Sequence, residues 1–143
     1  MKISTIFCAT LLATFVATSC STNTNTAKLK AKPEVSISNQ EWFLVDDNNT
    51  VKGLYDKNIS IVIDENASKV SGFSGCNNFN ATIAKTNGTI SFGNFSETKM
   101  ACPNLKAEQD FLSVLKNVNR YEIAGKELYL YKGNILLMKL KTT

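Results

Sequence analysis

Phe79-Asn80-Ala81-Thr82-Ile83-Ala84-Lys85-Thr86-Asn87-Gly88-Thr89-Ile90-Ser91-Phe92 reads as two strands joined by a tight turn. Phe79, Ala81 and Ile83 recur every second residue, as do Ile90 and Phe92, so each strand turns an apolar row to one side. Asn87-Gly88 is a strong hairpin signal, because both residues tolerate positive φ. A turn this short forces antiparallel pairing, and that decides the fold class: parallel neighbours need a long crossover.

The same grammar extends outward. Trp42-Phe43-Leu44-Val45 reads as a first strand, followed by a turn at Asp46-Asp47-Asn48-Asn49. Ile59, Ile61 and Ile63 alternate with Ser60, Val62 and Asp64 in a half-buried strand. Glu65-Asn66 turns the chain into Lys69–Phe73. After the hairpin, Pro103 suits the first turn of a helix, where its missing N–H is not needed. Leu105, Phe111, Leu112, Leu115 and Val118 form an apolar stripe at helical spacing, with Lys106, Glu108, Asp110 and Lys116 mostly off it. Arg120–Ile123, Glu127–Tyr131 and Asn134–Leu140 then read as a meander, turned at Gly125-Lys126 and Lys132-Gly133. The expectation is an α+β fold: a curved antiparallel sheet of about seven strands, half or fully closed as a barrel, packed on one α-helix.

With 143 residues, 43% of them hydrophobic and 20% charged, the chain has enough material for one packed domain. The net charge of +4 is small and evenly spread, and Arg120 is the lone arginine, which argues against a nucleic-acid partner. Histidine is absent, removing Ser-His-Asp triads, Cys-His dyads and most transition-metal sites. Asp46-Asp47 and Asp64-Glu65 are carboxylate pairs, but both sit at turns without a complete metal-ligand spacing. No metal or cofactor is expected. Asn58-Ile59-Ser60, Asn80-Ala81-Thr82 and Asn94-Phe95-Ser96 match glycosylation sequons and are read as chance in an Asn-rich chain.

The amino end is of a different kind. Lys2, an apolar run from Ile3 to Val16, and the small residues Ala17-Thr18-Ser19 make residues 1–19 a secretory signal peptide. Ala17-Thr18-Ser19-Cys20 resembles the bacterial lipobox, with Ala17 where Leu is usual. That resemblance implies acylation of Cys20, cleavage before it and a membrane anchor; Ser21 rather than Asp after it favours the outer membrane. Two or more acyl chains give stable anchoring, at about 0.8 kcal/mol per buried methylene. Residues 20–40 hold the lipidated cysteine and a flexible tether, whose polar stretch, residues 21–38, spans roughly 20–25 Å, leaving 41–141 as the domain. Lys28, Lys30 and Lys32 are read as solvating charges.

Cys8 leaves with the signal and Cys20 takes lipid, so Cys76 and Cys102 remain as a pair in a compartment that permits disulfides. A bond would tie the helix start to the sheet and contribute about 3–4 kcal/mol in the chain-entropy model. Two buried free thiols are the alternative.

Around these cysteines, Ser71-Gly72-Phe73-Ser74-Gly75-Cys76-Asn77-Asn78-Phe79-Asn80 resembles the glycine-cysteine-asparagine signature of the META domain, or HslJ-like, family. Ser96-Glu97-Thr98-Lys99-Met100-Ala101-Cys102-Pro103 resembles its second signature. Glu108, Phe111-Leu112 and Trp42 fit as well. The resemblance implies antiparallel strands with a packed helix, and an envelope lipoprotein associated with heat-shock induction and novobiocin tolerance. It implies no known activity. The motif residues Gly72, Gly75, Cys76, Asn77, Thr98, Met100 and Cys102 are read as structural or binding residues. Gly72 and Gly75 permit turns or close approach, Asn77 and Thr98 hold local turns, and Phe79 and Met100 belong to the core.

Three functions fit these observations. The first is a non-catalytic envelope module that binds a protein or glycan partner and supports stress or drug tolerance. The second is a barrel-like carrier of a small hydrophobic ligand, which requires that Ile61, Phe92, Leu128, Leu130 and the helix stripe leave an interior volume. The third is a redox or hydrolytic enzyme built on Cys76 or Cys102. Against it stand the missing histidine base and a spacing other than C-x-x-C.

Overall fold

A computed structural model describes residues 35–143 apart from Ala67 and Asn104. The segment expected to be a signal peptide, Cys20 and most of the expected tether therefore lie outside the described residues. Nine strands and one helix follow one another: β1 (Glu41–Asp46), β2 (Asn49–Thr50), β3 (Ser60–Asp64), β4 (Lys69–Phe73), β5 (Asn78–Thr86), β6 (Thr89–Glu97), α1 (Leu105–Lys116), β7 (Arg120–Ala124), β8 (Glu127–Lys132) and β9 (Ile135–Lys141). All pairings are antiparallel, in the order β2-β1-β3-β4-β5-β6-β7-β8-β9, and β1 pairs with β9 as well.

The strand count exceeds the expected seven or so. Part of the difference is β2, which the sequence presents only as a turn. Asp47 and Asn48 both adopt positive φ, 42° and 69°, and fold Asn49–Thr50 back onto β1. The Asn87-Gly88 hairpin forms as expected, joining nine-residue strands with Thr86 opposite Thr89. Gly88 alone takes positive φ there, at 79°.

Alternation decides which side of each strand is buried. On β8, Leu128 and Leu130 are fully buried, while Tyr129 and Tyr131 point to the other face. Trp42, Ile61, Ile63, Val70, Phe79, Ile90 and Leu140 complete the inner face with Phe111, Leu112 and Leu115 of α1. Phe79 meets Phe111 edge-on, with ring centroids 6.0 Å apart. The Trp42 indole N–H, fully buried, donates to the Ile37 carbonyl at 2.8 Å. Ile37 is itself 3% exposed, so the end of the stretch read as tether belongs to the fold.

The ladder thins between β6 and β7. They share one residue pair, Thr89 opposite Arg120, at the point where α1 interrupts the run of strands. Two core assignments also change. Leu105 is 44% exposed, and its expected place on the buried helix face is taken by Glu108, at 2%. Met100 is 46% exposed and not in the core. Among the described residues, no helix is long and apolar enough to cross a membrane.

Candidate functional site

The two signature stretches meet at one corner. Gly72 lies in β4, where a Cβ would sit 2.0 Å from the Ser60 carbonyl oxygen, so only glycine lets β3 and β4 approach this closely. Gly75 turns the chain out of β4 with φ at 112°, a conformation that L side chains rarely adopt. That turn places Cys76 and Asn77 inward, at 4% and 3% exposure. Cys76 is disulfide-bonded to Cys102, with Cα atoms 6.3 Å apart, inside the usual span for such bonds. The bond fastens the segment before α1 to the β4–β5 turn.

Asn77 is the hub. Its Oδ1 accepts from the Thr98 hydroxyl at 2.8 Å and from the Met100 backbone N–H at 2.8 Å. Its Nδ2 donates to Glu108 Oε2 at 2.9 Å and approaches Cys76 Sγ at 3.4 Å. Ser74 Oγ donates to Glu108 Oε1 at 2.9 Å. Thr98 Oγ1 also receives the Asn78 backbone N–H at 3.2 Å. The local turn expected of Asn77 and Thr98 is thus a long-range clasp: residues more than twenty apart in the chain satisfy one another. A buried amide left with half its bonds would cost about 1–3 kcal/mol, which explains the full complement of partners.

Ser74 and Glu108 escaped the sequence reading as site residues. A signal for Glu108 existed: with Phe111, Leu112 and Leu115 it occupies successive turns of one helix face. Its carboxylate accepts from neutral donors. Nearby, burial pushes the Glu97 carboxyl up, helped by a hydrogen bond and like charge from Glu108, against the pull of Lys116.

A second feature opens where the β6–β7 ladder thins. A groove of about 700 Å³ is lined by Tyr121, Tyr129, Tyr131, Lys85, Glu65 and Glu122, among others. Lys85 bridges Glu65 at 3.0 Å and lies 5.4 Å from the Tyr121 ring centroid. Arg120 pairs with Glu122 and sits 3.9 Å from the centre of the Tyr131 ring, while the Tyr131 hydroxyl donates to Glu122 at 3.1 Å. Lys139 pairs with Glu127 at 2.6 Å, and the Tyr129 hydroxyl donates to the same carboxylate. None of these residues was picked out from the sequence as a site, although the period-two row Glu127-Leu128-Tyr129-Leu130-Tyr131 already puts the tyrosines opposite the core.

The disulfide corner, with its glycine-cysteine-asparagine turn and its Thr98–Cys102 arm, is the meeting of the two signatures, and the META domain family model matches residues 15–142. The chain belongs to the META domain family. This META domain is similar in fold to two structures solved by NMR. One is a protein from Burkholderia xenovorans, 23% identical, with a TM-score of 0.58 over 75% of this chain and 83% of that one. The other is 18% identical, with a TM-score of 0.55 over 75% of this chain and 94% of that one. No curated protein matches the chain.

Proposed function

We propose that this META domain protein is a non-catalytic envelope lipoprotein, anchored through acylated Cys20 in the outer membrane. In this reading it supports stress or drug tolerance by binding an envelope protein or glycan. The observation that carries it is the groove beside β7. It is wide and open, and walled by tyrosines whose rings offer contact area at low entropic cost, with charged groups between them. The lipobox-like Ala17-Thr18-Ser19-Cys20 supports the anchor, and the pairing of β9 back to β1 supports reading the sheet as a closed barrel. A carrier role finds no such support. Ile61, Leu115, Leu128 and Leu130 are fully buried against one another and Phe92 nearly so, which fills the space a ligand would need. An enzyme role is weakened because both candidate nucleophiles are joined to each other.

The test is complementation of a deletion strain under heat and novobiocin. Wild type restores tolerance and partitions with the outer membrane, its intact mass showing an acylated Cys20. Cys20→Ser is released and restores less. Tyr121→Ala/Tyr131→Ala stays anchored but fails to restore tolerance. An unacylated chain retaining Met1, or full rescue by the tyrosine variant, overturns the proposal.

A further inference from the structure

The corner that holds the disulfide contains a second arrangement of the same atoms. Cys76 Sγ, Cys102 Sγ and a carboxylate oxygen of Glu108 all lie within 4.8 Å of one another. In a tetrahedral zinc site, sulfur and oxygen ligands at ordinary bond lengths stand about 3.5–3.8 Å apart. Once the sulfurs are no longer bonded, small side-chain movements bring the three atoms to that spacing. We propose that reduction of Cys76–Cys102 converts this corner into a binding site for a thiophilic divalent cation such as zinc, held by both sulfurs and Glu108. This inference does not depend on the groove or on the membrane anchor.

Three observations carry it. Glu108 is 2% exposed, yet no lysine or arginine among the described residues pairs with it. Its two oxygens accept hydrogen bonds from Ser74 and Asn77, the Glu97 carboxyl is hydrogen-bonded to it as well, and a carboxylate offers about four lone-pair sites, so one remains for an ion. Those bonds fix its orientation, which is what outer-shell partners do for metal-binding carboxylates. Second, Asn77 Nδ2 stands 3.4 Å from Cys76 Sγ and is placed to stabilise a thiolate there. Third, the disulfide borders a cleft of about 320 Å³, lined by Gly53, Leu54, Gly75, Cys76, Cys102 and Pro103, which admits both a reductant and an ion. A water in the cleft supplies the fourth ligand.

The chemistry balances with a dithiol as reductant. Its thiolate attacks Sγ of Cys102, the more exposed sulfur, and the S–S electron pair leaves on Cys76. The second reductant thiolate then displaces Cys102 and closes the reductant's own disulfide. Two electrons have moved. On binding M²⁺, any thiol still protonated loses its proton to solvent. The ion then replaces the covalent tie between the β4–β5 turn and the start of α1.

The experiment uses the full chain carrying Cys8→Ser and Cys20→Ser, so that no other thiol competes. It is reduced with a phosphine and titrated with Co²⁺, then with Zn²⁺ in competition. Thiolate-to-cobalt charge-transfer bands should appear at one ion per chain, only after reduction, and zinc should erase them. Glu108→Gln should weaken zinc binding at least about tenfold, the lower end of what losing an outer-shell partner costs. Should that variant fail to fold, ¹¹³Cd NMR of the unsubstituted corner reports two sulfurs and oxygen directly. Absence of charge-transfer bands after reduction, equal binding by the oxidised chain, unchanged affinity in folded Glu108→Gln, or a cadmium shift showing fewer than two sulfurs overturns the proposal.

Discussion

Glu108 and Glu127 are both hydrogen-bonded glutamates, one buried and one at the surface. Glu108 is buried at the disulfide corner and is held by a hydroxyl and an amide. Glu127 lies on the outer face of β8, held by Lys139 and the Tyr129 hydroxyl, with solvent around it. In the interior a neutral donor is worth much, because leaving it unmade costs the full desolvation of both groups. On the surface even a full charge pair is worth little, since water and salt screen it. The comparison teaches that the corner is rigid for reasons of satisfaction, and the outer face is adjustable because its bonds are replaceable.

The strongest way to break that contrast is to open the corner. Replacing Cys76 and Cys102 by alanine should lower unfolding stability by about 3–4 kcal/mol, read from urea titration of Trp42 fluorescence. A loss under 1 kcal/mol would mean the bond constrains nothing that the clasp does not already hold. Next comes Asn77→Ala, which strips the Thr98 hydroxyl and Met100 N–H of their acceptor and Glu108 of a donor. A loss of about 2–4 kcal/mol follows from several buried groups left unpaired. Asn77→Asp keeps the acceptor but adds a further carboxylate beside Glu108, which already faces Glu97, so it should be worse at neutral pH than in acid.

How much of this was legible follows from the physics of each part. The hairpin at Asn87-Gly88, the strand at Lys69–Phe73 and the helix after Pro103 are local patterns, and the sequence states them in period and turn chemistry. The pairing of Cys76 with Cys102 is legible from cysteine count and compartment, while Asn77 and Thr98 stand out only through the resemblance to a family. Their hydrogen bonds were not legible at all, because the partners lie more than twenty residues apart. The sequence places Glu108 off the apolar stripe since charge normally marks the outer side of a helix; its burial among hydrogen-bond donors is the exception. β2 was missed because a two-residue strand has no periodicity to detect.

Two glutamates shifted in opposite directions sharpen the contrast further. The Glu97 carboxyl is raised, first by burial and then by Glu108. The folded state therefore holds its proton more tightly than the unfolded chain, and this contribution to stability is present in acid and declines as pH climbs through and above 4.5. Glu97→Gln should flatten that decline in urea melts between acid and neutral pH; an unchanged profile would mean that folding does not raise the Glu97 carboxyl. Glu127 runs the other way. The Lys139 hydrogen bond, then Tyr129, lowers its carboxyl, so its contribution is present above 4.5 and is lost as pH falls through the lowered value. Glu127→Gln should have the smallest effect of all, vanishing in high salt. A salt-resistant loss would show that the outer face is less replaceable than its exposure suggests.

The pairing of β1 with β9 has a consequence for how the molecule comes into being. The strand nearest the start of the sheet waits for the one made last, so Phe43, Leu44 and Val45 have no final neighbour until Ile135–Lys141 arrives. Closure must await β9, and contacts this distant in sequence slow it. A polypeptide cut short before β9 would present two raw sheet edges at once, the condition under which strands of different molecules pair with each other.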